Sequence, residues 1–219
     1  MTAAEWDASH DPTSMLTAAG TRIPDRALVL FVCGAARRVE HLLPESARPL
    51  VPRVEAAADL PPAERDAAVR EAVESLAGLT GLFTRATLRF DRPAQAAQTL
   101  AAILRWLENR PAGPQTLLGR AFSGFGALPL GQRPHPEQAA ILRCVAGNPF
   151  VKSTFDPAWR TSDVLSLART AADSPGSLPI LADALQDAGC SDDAMLAHLR
   201  HDAVHARGCW ALERITNDR

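Results

Sequence analysis

The residues with the most chemistry in them lie close together near the C-terminus. Cys190, His198, His201, His205 and Cys209 bring three of the six histidines and two of the four cysteines into one stretch. Imidazole nitrogen and thiolate sulfur together are donors for zinc and its divalent transition-metal neighbours. Ser191, Asp192 and Asp193 cap and charge the start of a helix running through Leu199. Cys190 then precedes that helix and lies about 12 Å along its axis from His198, at 1.5 Å per residue, too far to share one ion. His201 and His205 are spaced i, i+4, as are His205 and Cys209, so either pair could chelate an ion from one helical face. The expected metal set is therefore His201, His205 and Cys209, with His198 as a further candidate and Asp202 or Glu213 as a fourth donor. The spacing matches no zinc finger, and the chain has no HExxH motif. The competing reading makes these histidines partly exposed helix residues and Cys209 a small buried hydrophobe.

Two other chemistries are open to the same residues. Cys209 could act as a nucleophile with His205 as its base one turn away, activated by Arg207 or Arg214. Against this, such thiols usually sit at a helix N-terminus, and Cys209 reads as falling inside a helix. At the other end of the chain, Arg37, Arg38 and His41 share the polar side of a helix over 25–43. Guanidinium forks suit carboxylates and phosphates, so these residues, with Arg207 and Trp210, form a candidate site for a small anionic ligand. If the two chain ends fold together, the arginines face His205 and Arg207 across one cleft. The alternative is a solvated face paired with Glu40 or Glu45.

The elements that must carry these residues are helical throughout. Apolar residues recur at three and four, and no convincing period of two appears. Thr13 or Ser14 caps a short first helix. Pro24-Asp25 opens a stronger one containing Leu28, Phe31, Val32, Ala35, Val39 and Leu42, which Pro44 stops. Further helices are expected over 62–77, 93–109 and 136–146, the last ending at Gly147. Ser162 starts another, Ser177 with Pro179 the next, ended by Gly189, and 203–215 is a final helix that Gly208 weakens. Gly113, Pro114, Gly119, Gly124, Gly126, Pro129, Gly131 and Pro134 punctuate 111–135, which reads as a loop or hinge. The expected organisation is a helical half over 1–110, that loop, and a second helical half over 136–219 holding the His/Cys-rich segment. The fold class is all-α, a compact bundle.

Composition narrows the function classes. The chain has 219 residues, a formal net charge of −2 and 22% charged residues, which argues against a general binder of nucleic acid or anionic membrane. Lys152 is the one lysine among 23 basic residues and there is no tyrosine, a bias expected of GC-rich bacterial coding. The apolar stretch 27–36 is far too short to span a bilayer, and the first thirty residues lack the pattern of a signal peptide. A cytoplasmic location with reduced thiols is expected.

The two ends of the chain resemble a known set of proteins. At the front these are T-A-A-E-W-D-A-S-H-D-P-T-S-M-L and D-R-A-L-V-L-F-V-C-G-A-A-R-R-V-E-H-L-L. At the back they are G-N-P-F, F-D-P-A-W, L-P-I-L-A-D-A-L-Q-D-A-G-C and A-H-L-R-H-D-A-V-H-A-R-G-C-W. They look like a bacterial family abundant as paralogues in planctomycetes and found in other GC-rich bacteria, over about the first fifty and last seventy residues. The family brings no established activity. The resemblance singles out Trp6, Asp11, Arg37, Arg38 and His41, and Trp159, His198, His205, Arg207, Cys209 and Trp210. This chain departs from it at Leu199, where members often carry Cys, at Glu213, where Asp is usual, and at Gly34, Ala35 and Ala36, where members are cysteine-rich.

Without a Gly-rich phosphate loop, a Ser-His-Asp signature or an outstanding carboxylate pair, the leading expectation is a non-catalytic adaptor or regulator with another protein as its partner. A zinc-type metalloprotein is the alternative, and a small-anion binder the second alternative.

Overall fold

A computed structural model of the chain describes residues 1–80, 92–108, 136–152, 154–201 and 204–217. Every regular element among them is helical. In chain order the α-helices are α1 (Ala3–Ala8), α2 (Pro12–Ala19), α3 (Asp25–Arg38), α4 (Leu50–Ala57), α5 (Pro62–Thr80) and α6 (Arg92–Glu108). Beyond residue 135 come α7 (Pro136–Ala146), α8 (Ser162–Asp173), α9 (Leu178–Asp187), α10 (Asp193–His201) and α11 (Trp210–Thr216). Short 3-10 turns sit between several of them. No helix of the described residues is long and apolar enough to cross a membrane. The loop expected over 111–135 lies outside the described residues.

α3 is the centre of the first core. Every residue from Ala27 to Cys33 is buried, so the helix is apolar all round rather than amphipathic. It packs against α4, α6 and α7, and α5 pairs with α6 beside it. Burial of Leu30, Phe31 and Val32 alone contributes about 1.5–3 kcal/mol per side chain. The α-helix stops at Arg38, earlier than the proline at position 44 suggests: Val39 leaves helical geometry and residues 40–42 form a 3-10 turn. Gly34 lets α7 approach closely. A Cβ there would stand 2.9 Å from Ile141 Cγ2 and 3.4 Å from Ala206 Cβ.

A second core is built from α8, α9, α10 and α11 around Leu181, Leu185, Met195 and Ile215. The line between the cores runs along α7. Ala139, Ile141, Leu142 and Val145 belong to the first, whereas Cys144 belongs to the second. α7 also carries the N-terminus. Arg143 Nη1 donates to the Ser9 carbonyl, Asn148 Nδ2 donates to the Ala3 carbonyl and to Asp7 Oδ1, and Trp6 meets Phe150 edge to face.

The local signals account for most boundaries. Asp11, rather than Thr13 or Ser14, caps α2, accepting from the N–H groups of Thr13 and Ser14, with Pro12 in the first helical position. Thr161, one residue before Ser162, caps α8. Gly147 and Gly189 end α7 and α9 at φ 64° and 88°, the left-handed region where a Cβ is penalised. The helices α1 and α4 had no counterpart in the sequence reading: each is short, and α4 has no side-chain cap at its start.

Candidate metal centre

The C-terminal segment departs most from expectation, and that departure builds the site. The sequence suggests a helix over 203–215. In the structure α10 ends at His201, residues 204–206 are irregular, Ala206 to Cys209 turn the chain, and α11 starts only at Trp210. Gly208, at φ 81°, makes the turn possible, and a Cβ on it would collide with Leu30 Cδ1 of α3. His205 and Cys209 therefore do not share a helical face. They lie on either side of a tight reversal that folds back onto α3, α7 and α10.

That reversal brings four donors together. Cys144 of α7, His198 of α10, His205 and Cys209 place one ligand atom each within 4.8 Å of one another. His198 Nε2 stands 3.2 Å from Cys209 Sγ, and His205 Nδ1 stands 3.9 Å from Cys144 Sγ. A tetrahedral zinc with bonds of about 2.3 Å to sulfur and 2.0 Å to nitrogen needs donor separations of roughly 3.3–3.8 Å, so the cluster closes on an ion with small side-chain shifts. The Cys144 and Cys209 thiols and His198 are buried, with His205 half-buried.

The surroundings support the donors. The Ala206 N–H donates to Cys144 Sγ at 3.4 Å, an outer hydrogen bond of the kind that orients a thiolate ligand. The Trp210 ring lies tilted on His198, centroids 5.7 Å apart, and seats on Gly147, where a Cβ would stand 3.3 Å from its Cγ. Trp210 thus locks the end of α7 against the start of α11. Hydrogen bonds from Cys144, and then from His198 and His205, hold the Cys209 thiol well below the usual cysteine range, although burial opposes them. The other two cysteines go the opposite way. Burial pushes the Cys33 thiol up to about 12, and burial also raises that of Cys190.

The expected ligand set is thus revised. His198, His205 and Cys209 meet. The side chain of His201 and all of Asp202 lie outside the described residues. Glu213 is engaged elsewhere, accepting from Arg26 Nη1 at 2.5 Å. Cys190 stays out of the cluster. Cys144 was missed because it is 61 residues from His205 and sits among Ile141, Leu142 and Val145, where a cysteine reads as core. Its one legible signal is that free cysteine in an apolar helix face also suits a buried ligand.

The two nucleophile candidates, Cys209 and His205, both belong to this cluster: Cys209 is 2% exposed, lies 3.2 Å from His198 Nε2 and is also hydrogen-bonded by His205. The arginine candidates fare differently. Arg37, Arg38 and Arg207 line one cavity with His205. His41 lies outside that lining, exposed on the 3-10 turn, and Trp210 faces His198 instead. Comparison with protein-family models, with curated proteins and with solved structures finds no match.

Proposed function

We propose that this protein binds one zinc-type divalent ion through Cys144, His198, His205 and Cys209, and that the ion is structural. The observation that carries this is the convergence of two thiols and two imidazoles, from α7, α10 and the reversal, into a largely buried cluster no wider than 4.8 Å. Ligation deprotonates both thiols, and a divalent ion supplies the two positive charges that the resulting thiolates need. Sulfur and imidazole donors favour zinc over calcium or magnesium. Four protein donors complete a tetrahedral shell and leave no position for water or substrate, the pattern of structural rather than catalytic zinc.

The reading keeps the non-catalytic role expected from the sequence and sets a metal-stabilised fold ahead of a protein adaptor. The exposed large apolar side chains among the described residues, Met1, Leu60, Val151 and Ile180, come from separate stretches of chain and argue for no particular partner.

The test is metal content and affinity of protein purified without a metal-binding tag. One zinc per chain is expected, replaceable by cobalt with the absorption of a tetrahedral thiolate complex. Cys144→Ser should lose the ion or weaken it severely, and Cys190→Ser should leave it in place. A folded protein that takes up neither metal, or in which Cys144→Ser binds like the parent, refutes the proposal.

A further inference from the structure

His205 also lines a cavity of about 410 Å³, whose walls include three guanidinium groups, Arg37 and Arg38 from α3 and Arg207 from the reversal, and one carboxylate, Glu55. Gly34, Ile141 and Ala206 form its apolar wall. The volume fits a small organic molecule.

The arginines are held by acidic neighbours in and around the cavity. Arg37 donates to Glu40 and to Glu55, at 3.3 and 2.6 Å. Arg207 donates to the Glu55 carbonyl at 2.5 Å and to Asp59 at 2.6 Å. Arg38 uses only Nε, 3.2 Å from Glu137, and its two Nη groups have no partner among the described residues. Each guanidinium has five N–H donors, so these pairs fix the positions of the arginines without consuming their capacity. Among the lining residues three cations face one carboxylate. Glu40, Asp59 and Glu137 do not line the cavity.

We infer that this cavity binds the phosphate group of a small phosphate monoester, with the Arg38 fork as its principal clamp and Arg37 and Arg207 as flanking donors. A monocarboxylate fills one fork. A phosphate monoester carries a charge near −2 and three terminal oxygens, which suits a cavity lined by three arginines. The inference does not rest on the metal reading, since none of the three arginines belongs to the ligand cluster.

The test titrates methyl phosphate, inorganic phosphate and succinate into the full-length protein as purified, followed by calorimetry. Saturable binding of both phosphates, tighter than that of succinate, is expected. Arg38→Gln should weaken it about tenfold or more, the loss of a charge-assisted bidentate contact. Glu137→Gln removes the tether and leaves the fork, so it should stay within about threefold of the parent. Unchanged thermal unfolding of both variants excludes misfolding as the cause. No saturation below the order of 10 mM, a preference for succinate, or equal losses in the two variants would each overturn the inference.

Discussion

Gly208→Ala is the sharpest test of how the reversal positions Cys209. Three terms set its size. At φ 81° an L-residue costs about 1–2 kcal/mol relative to glycine. The new methyl runs into Leu30 Cδ1, and Leu30 is 1% exposed on the central helix, so the collision costs about 1–3 kcal/mol of overpacking. Reduced freedom of the unfolded chain returns about 0.4–1 kcal/mol. The net loss is about 1–4.5 kcal/mol, which at roughly 2–4 °C per kcal/mol for a chain of this size lowers Tm on the order of 10 °C. Thermal unfolding by circular dichroism measures it, with a chelator present so that ion binding contributes to neither variant. A cycle with Leu30→Ala separates the terms. That change alone costs about 2–5 kcal/mol, but it removes the methyl that the alanine strikes, so the double variant should fall short of additivity by about 1–3 kcal/mol. An unchanged Tm for Gly208→Ala, or strict additivity in the cycle, refutes the account of the turn.

Three further outcomes are expected. The Cys33 thiol is raised from 9.0 to about 12 in the folded chain, so the folded state holds its proton more tightly. Its contribution is intact below pH 9 and is lost as pH rises from 9 towards 12, so the parent should lose on the order of 1 kcal/mol more than Cys33→Ala between pH 8 and pH 10 in urea unfolding, and parallel curves would contradict it. Arg160 donates to the carbonyls of Ile215, Arg214 and Asn217 at the end of α11. Arg160→Ala should therefore cost about 2–3 kcal/mol in denaturant unfolding, and an unchanged midpoint would contradict it. Asp11→Ala should cost about 1 kcal/mol through loss of the α2 cap while Asp11→Asn retains most of it, and equal losses in the two would point away from capping.

The all-α class and most of the helix ends were legible because they depend on neighbours in sequence. Gly147, Gly189 and the acidic start of α10 are local devices, and the structure uses each of them. The site was only half legible. His198, His205 and Cys209 were visible as a cluster of types, but their geometry was read on a continuous helix. Gly208 appeared as a weak point of that helix, whereas Leu30 against its Cα makes it the pivot of a turn. Cys144 had no local mark beyond its residue type. Its role is decided by which face of α7 meets the second core, and that depends on packing between distant elements rather than on spacing. The approach of Arg37 and Arg38 to Arg207 followed from the two ends of the chain folding together, and α7 makes that happen by joining α3 on one side to α11 on the other.

The double allegiance of α7 also bears on how such a chain could be cut or recombined. A fragment beginning after Gly147 would keep His198, His205 and Cys209 but leave behind the fourth donor and the glycine on which Trp210 sits. A fragment beginning at Pro136 would keep all four donors but lay bare Ala139, Ile141, Leu142 and Val145, the face that belongs against α3. Neither cut yields a self-sufficient piece. Exchange of segments between related genes would therefore tolerate a crossover on either side of α7 only when the incoming half brought a surface already fitted to it, so the helix ties the two halves into one unit of inheritance.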